Sequence, residues 1–287
     1  MSISTYNDER AHIKRQINDL FKSDIVEEKC HTIKKAFVLT HLGLGDMIHC
    51  NGLVRAIAEK YDNVLVVCKT HNKQNVIEMY RDCNKIKIFD VSDDYQISCS
   101  YGFNPKTFKD ITSGYDVYLS GCHKVSGAVI LDFPYSFYDD CNIPRDNLSK
   151  FYLEYTDTSM QLYNNLNTQL NDKKYVFIHN SWSGGIAFDT SKGEQLLGIY
   201  KNETLVINPC TNHYNESDPY FELAKSFINL PIFEYVHVLI NASKVLLFDS
   251  SFLCLAFHLP IKTDDCFFKI REFDYRWFSY HSKFKGI

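Results

Sequence analysis

Between positions 36 and 57 the chain reads AFVLT, then HLGLGD, then MIHCNGLVRAI, and no other stretch restricts the possible fold so tightly. Residues 36–40 form an unbroken apolar, β-branched run. Such a run suits a parallel strand covered on both faces, where polar alternation is not needed. Gly43 and Gly45 follow, and without a Cβ they let the backbone turn sharply and a ligand approach it. Met47, Cys50, Val54, Ile57 and Ala58 then recur at helical spacing and give one face to pack on a sheet. Ligands of open α/β sheets bind just outside the carboxyl ends of strands, so Asp46 stands at the mouth of a crevice. There it serves either as a helix N-cap or as a group facing a ligand.

The rest of the first half continues the pattern. Residues 63–68 (NVLVVC), 85–89 (KIKIF) and 115–120 (YDVYLS) read as strands, with a helix over 75–82. Strands alternating with helices imply parallel βαβ units. The fourth strand ends near His123, a candidate substrate contact that is equally well a solvated loop histidine. Before all this, Ile13, Ile17, Leu20 and Phe21 make a narrow stripe on a leading helix within residues 1–30, expected to lie on the outside of the first domain. Residues 133–155 are aromatic and broken by prolines, and read as the passage out of that domain.

A nicotinamide site is disfavoured. It requires GxGxxG and an acidic residue about 20 positions on, at the end of the second strand, whereas here that strand ends in Cys68-Lys69. A net charge of −4 offers no positive field for a phosphate backbone, so nucleic acid is not an expected partner. No apolar run approaches the roughly 20 residues of a membrane span, and the polar start MSISTYNDER is no signal peptide. Ten cysteines, none within four residues of another, exclude CxxC zinc or redox motifs and imply a reducing, cytoplasmic setting.

A second α/β series starts after residue 150. Leu162, Leu166 and Leu170 mark a helix, and 174–179 (KYVFIH) a strand. The loop Asn180-Ser181-Trp182-Ser183-Gly184-Gly185 then supplies hydroxyls and exposed amides that suit a diphosphate, or any turn. Residues 204–208 (TLVIN) give a strand ending at Asn208, 218–227 a helix, and 233–242 a helix leading to the strand 245–248. At its end stand Asp249, Ser250, Ser251 and Phe252. The two serines open a helix, either as ordinary caps or as groups facing an anion at the positive end of the helix dipole. The aromatic run after Cys266 reads as core packing, a helix crossing back to the first domain, or a platform for an acceptor sugar.

Two such series, 1–150 and 151–287, give an α/β protein of two Rossmann-like domains facing across a cleft. The turn LGDMIH, from Leu44 to His49, resembles the opening motif of the heptosyltransferase-type glycosyltransferases of the two-domain GT-B fold: Gly-Asp, two apolar residues, His. Asp249-Ser250-Ser251 with Leu255-Ala256 is similar to that family's second motif, D-[ST]-G-x-x-H-L. The family glycine is Ser251 here and its histidine is Cys254. A family lysine beyond the first strand of the second domain has no counterpart near residues 180–185, so the resemblance implies a sugar nucleotide without specifying heptose.

The resemblance implies Asp46 as catalytic base and Asp249, Ser250 and Ser251 as holding the donor diphosphate, and His49 matches its motif histidine; with Gly45 of the same turn and His123 at the end of the fourth strand, His49 is placed on the acceptor side. Asn180, Ser181, Ser183, Asn208, Asp249, Ser250, Ser251 and Phe252 fall on the donor side. No Asp-x-Asp occurs, so a divalent cation is not expected to neutralise the leaving diphosphate, and no cofactor is expected beyond the nucleoside-diphosphate sugar as co-substrate. The expected activity is inverting, metal-independent transfer to a glycan or other hydroxyl acceptor, in glycan biosynthesis. A nucleotide-sugar-binding protein without activity would share these features. A hydrolase is disfavoured, since GxSxG and HExxH are absent.

Overall fold

A computed structural model describes residues 3–21, 33–92, 111–121, 133–171, 173–181, 189, 191, 194–195, 198–199, 205–210, 213–269 and 283–286. The chain divides into two compact units, 1–33 and 34–287. The first holds helix α1 (Ile3–Phe21), whose residues Ile13, Ile17, Leu20 and Phe21 are all exposed.

The second unit contains two sheets, and every described strand pair is parallel. In the first sheet β1 (Lys35–Leu39), β2 (Asn63–Lys69), β3 (Ile86–Val91) and β4 (Asp116–Leu119) take the order β3-β2-β1-β4. The second comprises β5 (Tyr175–His179), β6 (Leu205–Ile207), β7 (Lys244–Phe248), β8 (Cys266–Lys269) and β9 (Phe284–Gly286), in the order β6-β5-β7-β8-β9. Both are doubly wound arrangements. Their strand order reverses between β1 and β4 in one sheet and between β5 and β7 in the other, and ligands of such sheets bind at that reversal.

Strand alternation divides the core. Ala36 and Val38 of β1, with Tyr175 and Phe177 of β5 and Val245 and Leu247 of β7, join one continuous apolar core. Phe37 and Leu39 face a second cluster, and Val176, Ile178, Leu246 and Phe248 a third. This double burial is why the strands read as unbroken apolar runs, each large side chain contributing about 1.5–3 kcal/mol.

The helix after the first glycine turn is interrupted. It forms α2 (Leu44–His49) and α3 (Asn51–Ala58), separated at Cys50. Helix α4 (Lys73–Met79) connects β2 to β3. The passage at 133–155, which showed no periodicity, belongs largely to the first core. Phe137 and Tyr138 of α5 (Tyr135–Asp140) are fully buried, and the 3-10 turn Arg145–Lys150 packs on α3. That contact is close enough that a Cβ on Gly52 would stand 1.9 Å from the Asn147 carbonyl oxygen. Buried Asn51 ties the irregular segment after Lys150 down, bonding Tyr152 through both its backbone N–H (3.0 Å) and its carbonyl (3.1 Å). Arg55 joins it while forking onto Asp82 with two 2.8 Å bonds.

Helices α6 (Asp157–Leu170), α7 (Phe221–Ala224), α8 (Val236–Asn241) and α9 (Ser251–Phe257) complete the second half, α6 packing on α8. The helix expected over 218–227 is shorter, and continues as a 3-10 turn over Lys225–Phe227. The described ends of the aromatic tail, Cys266–Lys269 and Phe284–Gly286, are strands rather than a helix crossing back; residues 270–282 lie outside the described set.

Candidate active site

At the reversal point of the first sheet, β1 runs into Thr40, His41, Leu42 and Gly43. Gly43 is the N-cap of α2, in extended conformation, and Asp46 lies in the first turn of the helix rather than at the cap. The Asp46 carboxylate folds back over Gly43, its Oδ2 standing 2.5 Å from where a Cβ would be, so a side chain at that position would push the carboxylate out of this arrangement. Asp46 is partly exposed. At the end of the neighbouring β4, Ser120 donates its N–H to the Leu39 carbonyl (3.1 Å) and is buried, its hydroxyl without a partner among the described residues. Gly121, at φ +63°, admits the His41 ring against its backbone and donates its N–H to Asp140 (2.7 Å).

At the reversal point of the second sheet, β5 ends in His179, Asn180 and Ser181, and β7 in Asp249 and Ser250. Ser250 occupies the N-cap of α9 but makes no side-chain capping bond, which removes the ordinary explanation for a serine there. Its hydroxyl instead pairs with His179 Nδ1 at 3.0 Å. Burial pulls the His179 pKa down to about 3, so the ring stays neutral. Next to it, Asn208 donates to the Asn180 side-chain oxygen (3.0 Å) and accepts from the Cys210 N–H (2.9 Å), a buried polar chain at the ends of β5 and β6. Phe252 is a core residue, packed on Phe177, His179 and Tyr235.

The two reversal points meet. Helix α2 packs directly on α9, and a Cβ on Gly45 would stand 2.7 Å from Cys254 Sγ and 3.5 Å from Ser251 Cα. Gly45 is therefore the point where the turn carrying Asp46 touches the helix that follows Ser250. His49, at the far end of α2, is 1% exposed, and its Nδ1 lies 3.0 Å from His258 Nε2. Its ring thus belongs to the junction rather than to an open acceptor surface. His258 stacks on Phe151 with ring centres 4.6 Å apart.

His123 and Ser183, together with Trp182, Gly184 and Gly185, lie outside the described residues. Sequence reasoning missed His41, Ser120, His179 and His258. Of these, His179 carried a signal, as a polar residue closing an otherwise apolar strand. A cavity of about 340 Å³ lined by Lys174, Val176, Leu205 and Lys244 lies at the amino ends of β5, β6 and β7, the edge away from all these groups. Among the described residues no group of three His, Cys, Asp or Glu side chains is arranged to hold a metal ion. None of the described helices is long and apolar enough to cross a membrane.

Two doubly wound parallel sheets, each with a polar loop at its reversal point and the helices that follow those loops in contact, define the GT-B class of architecture. By sequence, neither a protein-family model nor a characterised protein matches the chain. By structure, it is similar to a family 9 glycosyl transferase from Veillonella parvula DSM 2008, with a TM-score of 0.53 and 9% identity, covering 91% of this chain and 88% of that one. It is likewise similar to the ADP-heptose lps heptosyltransferase II of E. coli, with a TM-score of 0.51 and 9% identity, covering 89% and 90%. At such identity the likeness is one of fold, and it falls on the same heptosyltransferase type that the two motifs resemble.

Proposed function

We propose that this chain is a glycosyltransferase that moves a sugar from a nucleoside-diphosphate donor to a hydroxyl acceptor in a single inverting displacement. The observation that carries the reading is the contact of Gly45 with Ser251 and Cys254, which sets the carboxylate-bearing turn beside the loop suited to a diphosphate. In this reading residues up to about 150 bind the acceptor, with His41 and Ser120 at its edge, and residues 151–287 bind the donor. That one structural neighbour is an ADP-heptose lps heptosyltransferase supports the nucleotide-sugar class.

Asp46 takes the proton from the acceptor hydroxyl as the oxygen bonds to the anomeric carbon. The bond from that carbon to the diphosphate oxygen breaks on the opposite face, and its electron pair leaves with the nucleotide. Stabilisation of the leaving charge falls to hydroxyls and backbone amides around Ser250 and Ser251, so the reading requires no metal. Neutral His179 aids this in the tautomer whose Nδ1–H donates to Ser250, because the serine O–H is then left to donate to the anion.

A screen of nucleotide sugars for transfer or hydrolysis identifies the donor. Asp46→Asn should lower turnover by roughly 10² to 10⁴ while donor affinity is retained. Full turnover in a folded Asp46→Asn protein removes the assignment, and binding without turnover in the wild type makes the chain a nucleotide-sugar-binding protein instead. The anomeric configuration of the product, read by NMR, tests inversion.

A further inference from the structure

We infer that His258 is a positioning residue: its bond to His49 holds the helix that carries Asp46 in register against the helix that follows the donor loop. The inference rests on the transfer reading above for the role of Asp46, but the clasp itself is read from geometry. Asp46 and His49 are three residues apart on α2 and so lie on neighbouring parts of its surface. Gly45, at one end of α2, meets Ser251 and Cys254 in the first turn of α9. His49, at the other end, meets His258 just past the last turn of α9. Two contacts one helix-length apart fix both the separation and the rotation of α2 against α9, whereas one contact would leave rotation free.

The surroundings make the second contact directional. His49 is buried, with Phe133 edge-on at 5.5 Å and Phe257 stacked at 6.4 Å, while His258 is held flat against Phe151. Tyr138 donates to the His49 carbonyl at 2.8 Å, so the backbone at this end is fixed from the first half as well. Within these aromatic walls the rings have one shared bond, with one nitrogen donating and the other accepting. His258 is also four residues beyond Cys254, one helical turn from the position where the second motif carries a histidine.

Displacement of a catalytic group by about 1 Å costs as much as 100-fold in rate. His258→Leu, which keeps the bulk and removes the bond, should lower kcat by about 10- to 100-fold and leave the donor KM within about two-fold. His258→Gln, whose side-chain amide can donate or accept near the same place, should recover most of that loss. An unchanged kcat in folded His258→Leu, or failure of Gln to recover it, overturns the proposal. Hydrogen exchange reads the clasp without turnover: amides of residues 47–50 should exchange faster in His258→Leu than in wild type, with β1 and β2 unaffected. If that change appears but the wild type transfers no sugar, the clasp stands and the transfer reading fails. If exchange at residues 47–50 is unchanged, the clasp is wrong whatever the activity.

Discussion

Gly45 and Cys254 approach so closely that a Cβ on the glycine would stand 2.7 Å from the cysteine sulfur. The glycine turn does two jobs here. It ends β1, and it supplies the flat surface on which a helix from the second sheet rests. Side chains of both halves then share one core, with Met47 and Ile48 of α2 and Leu253 and Leu255 of α9 buried in it. The junction is thus part of the fold, and substitutions there act on stability and on the site together.

Gly45→Ala should destabilise the protein by about 1–3 kcal/mol, since the sulfur must give way in a packed junction. The Cys254 Cβ lies at 3.6 Å from the same point, an ordinary contact, so removing only the sulfur relieves the clash. Gly45→Ala combined with Cys254→Ala should therefore be more stable than the sum of the two single changes. Urea unfolding of the four proteins measures the coupling, and strict additivity would show that the contact is not limiting.

Gly52→Ala should be far worse, costing more than about 3 kcal/mol or preventing folding. Its Cβ would meet the Asn147 carbonyl at 1.9 Å, and that obstacle is backbone, which no side-chain rotation removes. Truncation of the nearby Tyr138 to Phe should not rescue it. A soluble Gly52→Ala protein with a near-native melting temperature would contradict the packing of Arg145–Lys150 on α3.

Ser250→Ala should weaken binding of a nucleoside diphosphate by about 10- to 100-fold, the range for a hydrogen bond to a charged group. It also leaves His179 Nδ1 without its partner in a buried place, at a cost of about 1–3 kcal/mol. Ser250→Thr keeps the hydroxyl and should retain both properties. Calorimetric titration and thermal unfolding separate the two effects, and unchanged affinity in Ser250→Ala would return this serine to a purely structural role.

What the sequence disclosed follows the range of the forces involved. The unit from β1 to α3 was legible because buried parallel strands must be apolar throughout and sharp turns favour glycine, both local requirements. Ser250 at a helix start was legible for the same reason. The pairing of His49 with His258 was not, because it joins residues 209 apart and leaves no periodic trace. Strands β8 and β9 were hidden in an aromatic run, since short strands at the side of a sheet owe their conformation to their neighbours more than to propensity. Residues 133–155 looked like a passage because prolines punctuate them, yet Phe137 and Tyr138 fill the first core.

The protonation of His179 sets the last expectation. Its folded pKa, about 3, lies below the unfolded value of about 6.5, so between these two pH values the unfolded chain binds a proton that the native state refuses. Stability is therefore complete above pH 6.5 and falls as the pH drops toward 3, by up to about 1.4 kcal/mol per unit. From pH 7 to pH 5 this one group should remove about 2 kcal/mol. His179→Asn has no group titrating there, so its stability should fall by about that much less over the same interval, even if its stability at pH 7 is lower. Denaturant unfolding of both proteins at pH 7, 6 and 5 gives the comparison. Parallel curves would mean that His179 takes up its proton in the folded protein, and that the neutral ring assigned to Ser250 is not what the donor loop contains.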